Sequence, residues 1–94
     1  MNLNYIEEEN RVVIETDDKA FVGEVTFQRR GDDVLVVDHT FVDSNFRGQG
    51  IAEKLAIKAI EVAIDEKRKI VPACSYIKKY LDDNKDLQYL EYHG

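Results

Sequence analysis

Tryptophan is absent, and cysteine, proline and methionine occur once each in 94 residues. One cysteine, Cys74, excludes an internal disulfide and points to a reducing compartment. Positive charge is also scarce. Thirteen Lys and Arg stand against 19 Asp and Glu, a net charge of −6, so the attraction to phosphate that drives binding to nucleic acids and anionic membranes is missing. Long apolar runs are lacking too: the best, Ile51 to Ile64, is broken by Glu53, Lys54, Lys58 and Glu61 and falls short of the ~20 apolar residues a membrane span needs. Met1 to Glu7 has neither the basic nor the apolar region of a secretory signal. These absences predict a soluble, cytoplasmic chain with no nucleic-acid or membrane partner.

What is present suffices for one shallow core. Hydrophobic residues make up 44% of the chain, and a chain this short buries roughly 60–65% of its unfolded surface. Residues 1–94 therefore read as a single domain, with no repeat, low-complexity segment or linker. The first 42 residues alternate between apolar and polar and are punctuated by turns, as a β-meander requires. Strands are expected at Tyr5-Ile6, Arg11 to Glu15 and Ala20 to Gln28, with Phe21, Gly23, Val25 and Phe27 on one face and Glu24, Thr26 and Gln28 on the other. Arg30-Gly31-Asp32 reads as a hairpin turn. Val34 to Val42, apolar on both faces apart from Asp38, His39 and Thr40, reads as a mid-sheet strand covered on both sides.

The period then changes. Ile51, Ala52, Leu55, Ala56, Ala59, Ile60, Ala63 and Ile64 recur at three- and four-residue spacing, predicting a helix over 51–66 of about four turns. Lys67-Arg68-Lys69 suits its C-terminus as a solvated cationic end. A short buried strand, Ile70-Val71, ends at Pro72, and a second helix is expected from Ser75 to about Asp83, with Ser75 available as its cap. Residues 84–94 give no clear pattern.

The segment that carries chemistry joins the central strand to the long helix, Arg47-Gly48-Gln49-Gly50-Ile51-Ala52. Glycine lets a ligand approach the backbone, and the free N–H groups of a first helical turn favour a phosphate. A helix-initiating turn would use the same residues. A dinucleotide fingerprint is excluded because Glu53 stands where the third small residue belongs, and no glycine precedes a Lys-Ser or Lys-Thr pair as a Walker loop needs.

Arg-x-x-Gly-x-Ala after a strand and opening a long helix resembles the acyl-CoA pyrophosphate loop of the GNAT superfamily of N-acetyltransferases. The element order is similar to that fold as well. His39-Thr40-x-Val42 and Val71-Pro72-x-Cys74-x-Tyr76 further resemble a group of very small GNAT-like proteins. The resemblance implies an α/β, minimal GNAT-like fold: a mostly antiparallel sheet, a long cofactor-side helix and a shorter second helix. It implies acetyl-CoA as co-substrate and no metal. Amides from Arg47, Gly48, Gln49, Gly50, Ile51 and Ala52 would hold the pyrophosphate. Backbone of Phe41, Val42 and Asp43, where the central strand splays from the one after the long helix, would pair with the pantetheine arm. The thioester would lie between that strand and Ile70–Cys74.

Four side chains are candidates for the reaction. Cys74, near the start of the second helix, is a nucleophile, a lining group or an ordinary buried cysteine. His39 is the base most worth testing, with Asp38, Asp43 or a water as rivals, although a histidine alternating with Leu35, Val37 and Phe41 also reads as a core residue. Tyr76 and Tyr80, one helical turn apart, offer a proton to the departing CoA sulfur or simply pack. Lys54 or Lys79 would suit the cofactor's outer phosphate. Larger family members build their acceptor pocket from strands beyond the second helix, which few residues here follow. The resulting expectation is an acetyl-CoA-dependent N-acetyltransferase acting directly, in a ternary complex, on an unidentified primary amine, possibly protein-borne, as a monomer or weak homodimer. The alternative is a non-catalytic acyl-CoA-binding or regulatory module.

Overall fold

The alternating first half forms four antiparallel strands in chain order, and the strand after the long helix joins them in parallel. The computed structural model describes residues 2–94. Its elements are β1 (Leu3–Glu7), β2 (Arg11–Thr16), β3 (Phe21–Arg30), β4 (Val34–Val42), α1 (Ile51–Asp65), β5 (Lys69–Pro72) and α2 (Ser75–Asp83), with 3-10 turns at Ser44–Phe46 and Lys85–Leu90. The sheet order is β1-β2-β3-β4-β5, with β4 and β5 parallel across the α1 crossover. This is the mixed α/β architecture expected. Among the described residues no helix is long and apolar enough to cross a membrane.

One core lies between the sheet and its helices. Val12, Ile14, Val22, Val25, Phe27, Leu35 and Val37 face Ile51, Leu55, Ala56, Ala59, Ile60 and Ala63 of α1, and Ile70, Ile77, Leu81 and Leu90 close the cluster. Three alanines on this stripe let α1 lie close to the sheet. Gly23 serves the same approach, because a Cβ there would stand 2.7 Å from the Phe41 carbonyl and 3.2 Å from Leu55. Ile64, expected on the buried stripe, is 45% exposed: it lies two turns beyond Ile57, itself 41% exposed, on the flank of α1 and not on the face of Ala56, Ala59, Ile60 and Ala63.

Two β-bulges revise the expected faces. Ile14 pairs with Gly23 but Glu15 pairs with Phe21, so Val22 is the extra residue. Val22 consequently enters the core, while Phe21 turns to the opposite face at 39% exposure. In β4, Thr26 pairs with His39 but Phe27 with Val37, leaving Asp38 as the extra residue. Alternation restarts there, and His39 and Phe41 leave the core side that Leu35 and Val37 occupy. The expected core histidine is therefore an exposed one.

Other boundaries also move. β4 is an interior strand, as expected, paired with β3 on one side and β5 on the other, but both helices lie on one face of it, so it is not covered twice. β3 runs through Arg30, shifting the turn to Gly31–Asp33. Arg68 is not solvated: its guanidinium donates to the carbonyls of Gly31 (2.9 Å) and Val34 (3.2 Å) and pairs with Glu66. The segment after α2 docks through an N–H from Tyr92 to the Ile70 carbonyl at 2.7 Å.

Candidate functional site

β4 hands over to α1 through a loop whose glycines take the conformation that only glycine adopts freely. Gly48 has φ +80° and Gly50 φ +75°, and a Cβ at either would meet nothing within 4 Å. The positive φ explains glycine at both positions, and the space beyond them is open to a ligand. Gly50 is the N-cap of α1 and supplies no side-chain cap. The first intrahelical bond is Lys54 N–H to the Gly50 carbonyl, so the N–H groups of Ile51, Ala52 and Glu53 have no partner within the helix. A cleft of about 190 Å³ runs along this turn, lined by Val42, Phe46, Arg47, Gly48, Gly50, Ile51, Ala52, Glu53 and Tyr76. Gln49 lies exposed between the two glycines. Asp43 holds the approach by accepting the N–H of Asn45 at 3.1 Å.

The same cleft lies beside a fork in the sheet. Pairing of β4 with β5 ends at Val37↔Pro72, where the N–H groups of Ala73 (3.0 Å) and Cys74 (3.1 Å) converge on the Val37 carbonyl. The chain then turns into α2 while β4 continues to Val42. Asp43 N–H bonds Val22 on β3, and backbone groups alternate sides along a strand. Those of Thr40 and Val42 therefore point into the gap, whereas Phe41 and Asp43 are committed to β3.

Cys74 closes the fork. It is the N-cap of α2, a position expected of Ser75, which is instead the first helical residue. Its Sγ lies 3.5 Å from Thr40 Oγ1. Burial raises the thiol pKa, but the Thr40 hydroxyl and the N–H groups of Ile77, Tyr76 and Thr40 outweigh it and hold the thiol below its ordinary value. Thr40 is a partner that the sequence pattern did not reveal: unbroken alternation puts His39 there, and only the bulge brings Thr40 round.

The tyrosines separate by position. Tyr76 and Tyr80 stack at 6.4 Å, but only Tyr76 lines the glycine-loop cleft as well as a second one of about 400 Å³ shared with Glu53, Lys79, Tyr80, Asp83 and Asn84. Burial, with Glu53 and Tyr80 nearby, pushes the Tyr76 hydroxyl up, keeping it protonated and able to donate. Lys79 is paired with Asp83 at 2.7 Å. His39 stacks on Phe41 at 6.3 Å on the other face of the sheet, so it does not meet Cys74. Asp38 accepts from Thr26 (2.5 Å) and Gln28 (3.1 Å).

Comparison with known proteins bears on the family and the fold. Residues 4–90 match the family model described as GCN5-related N-acetyl-transferase. Protein NATD1 of Gallus gallus is 39% identical over 62 residues, 66% of this chain and 56% of that protein. The chain thus spans little more than half the length of the curated relatives it matches. A GCN5-like protein from Staphylococcus aureus superposes with a TM-score of 0.77 at 28% identity, over 99% of this chain and 91% of that one. A GNAT family acetyltransferase from Elizabethkingia anophelis, solved with acetyl-CoA bound, shares the fold, with a TM-score of 0.60 at 18% identity over 78% of this chain and 50% of its own.

Proposed function

Because the chain belongs to the GCN5-related N-acetyltransferase family, we propose that it binds acetyl-CoA along the fork between β4 and β5 and transfers the acetyl group directly to a primary amine. The observation that carries this reading is the continuity of two features: the backbone of Val42, which faces the gap beyond the last β4–β5 pair, and the free N–H groups of the α1 start at its end. The pyrophosphate sits on the amides of residues 47–52, where the helix dipole and orphan donors favour it. Pantetheine follows the gap, with Val42 as its backbone partner, and the thioester reaches Cys74. The relative from Elizabethkingia anophelis supports the ligand, since it carries acetyl-CoA on the same fold.

In the direct reaction the amine nitrogen attacks the thioester carbonyl, the C–S bond breaks, and the amine proton passes to His39 or Asp38, the two β4 groups just beyond the last β4–β5 pair. Tyr76 donates to the leaving CoA sulfur. Orientation supplies most of the rate, because the reaction requires two bound groups in line and little covalent work from the protein.

The Cys74 environment favours a second reading, a covalent relay. Its thiolate would attack the same carbonyl, expel CoA as the thiol after taking up the cysteine proton, and pass the acetyl group from sulfur to the amine. Calorimetry with acetyl-CoA tests the binding reading, and a stable complex is expected. Turnover with a panel of amines tests transfer: binding without turnover would replace the transferase with an acyl-CoA-binding module.

A further inference from the structure

Both helices pack on one side of the sheet, and the other side carries an ordered set of side chains that no helix of the described residues covers. Strand register aligns them in rows: Glu15 with Phe21; Ile6, Val13, Glu24 and Phe41; and Arg11, Thr26 and His39, with Asp38 at the bulge. Phe21, Phe41 and His39 stack in sequence, at 6.0 and 6.3 Å, into an aromatic ladder along the gap-side strands. Ile6 extends the apolar row to the far edge at 36% exposure, near the 39% of Phe21 and Phe41. The ladder is flanked by charge of one sign. Glu15, Glu24 and Asp38 lie on these rows against a single cation, Arg11, which is already bound to Glu8 and Glu24. Asp38 is hydrogen-bonded only by neutral Thr26 and Gln28, and no cation pairs with it among the described residues. An open cleft of about 760 Å³, lined by Glu8, Glu9, Arg11, Thr26, Gln28 and Arg29, reaches its carboxylate.

We infer that this uncovered face is the acceptor surface and that it receives a lysine borne on a cationic polypeptide, with apolar residues beside the lysine covering the Phe21–Phe41–His39 ladder. The inference rests on the transferase reading and names its substrate class. Position supports it: Asp38 immediately follows Val37, the last β4 residue paired with β5, so an ammonium held there stands at the mouth of the gap. Charge excludes a second copy of this chain, which would bring the same acidic rows against themselves on a molecule of net charge −6. A small polyamine would satisfy the carboxylates but leave Ile6, Phe21 and Phe41 in water, forgoing about 25 cal/mol for each Å² of apolar surface buried.

The test uses the full chain saturated with coenzyme A. A synthetic peptide with a central lysine flanked by leucine, phenylalanine and arginine is titrated while backbone amide signals are followed by NMR. Shifts are expected at Ile6, Glu24, Thr26 and Phe41, and Glu24→Lys should weaken peptide binding by about tenfold or more by reversing a charge on the face. Phe21→Ser, a gentler change at an exposed position, should weaken it several-fold. Neither should alter acetyl-CoA affinity. Spermidine binding more tightly than the peptide, shifts confined to α1 and α2, or unchanged peptide affinity in both variants overturns the assignment. Because docking is read without catalysis, peptide bound to this face but never acetylated would remove the transferase reading, whereas amines acetylated without docking here would remove only this one.

Discussion

The glycine loop offers the sharpest separation of folding from binding. Gly50 lies at φ +75°, and a Cβ added there would have no atom within 4 Å, so a side chain meets no steric obstacle in the protein and only backbone strain. An ordinary L-residue in that left-handed conformation costs about 1–2 kcal/mol. With an unfolding entropy of about 2.1 cal/mol/K per residue, this lowers Tm by roughly 5–10 °C. Asparagine tolerates the conformation better than other residues. Gly50→Asn is therefore expected to melt close to the parent, and Gly50→Val to melt lower through β-branching. Both place atoms where the pyrophosphate would approach. Loss of one charge-assisted hydrogen bond, about 1.5–3 kcal/mol, corresponds to roughly 10- to 150-fold in Kd. Differential scanning fluorimetry reads the first effect and calorimetry with acetyl-CoA the second. Parent-like affinity in Gly50→Asn and Gly50→Val alike would refute the cradle, since a ligand indifferent to a side chain at the helix start is not bound there.

Three other outcomes follow from the same structure. Thr40→Val removes the hydroxyl at 3.5 Å from Cys74, so the pH midpoint of iodoacetamide alkylation should move upward; an unmoved midpoint would dissociate Thr40 from the thiol. If Cys74 relays the acetyl group, intact-mass spectrometry after incubation with acetyl-CoA alone should show an adduct of about 42 Da that is lost in Cys74→Ala; an adduct-free protein that still acetylates amines leaves direct transfer as the route. Hydrogen bonding from Arg29, then Arg68, against an opposing effect of burial, holds Glu66 at about 2 instead of 4.5. A depressed carboxylate contributes fully above pH 4.5 and loses that contribution as pH falls toward 2, so Glu66→Gln should be less stable than the parent by about 1 kcal/mol near neutrality, a gap that closes across that window in urea unfolding.

The sequence by itself determined the element order, the amphipathic stripe of α1 and the glycine turn before it. Those features depend on spacing along one chain: period two, then two glycines, then the three- and four-residue spacing of a helix. The core followed from the same periods, except at Ile64 on the flank of α1 and where a strand carried an extra residue. Val22, Phe21, His39 and Thr40 were beyond such reading because a bulge is defined by a strand's partner, and one inserted residue sends every later side chain to the other face. Tertiary structure alone therefore decided that Thr40, and not His39, meets Cys74, and that Tyr76 borders the loop while Tyr80 stands behind it. It also decided that Arg68, set in a basic run that reads as solvated, ties α1 to the turn after β3. Each of these is a pairing between distant segments, fixed only when the sheet closes and the chain turns from β5 into α2.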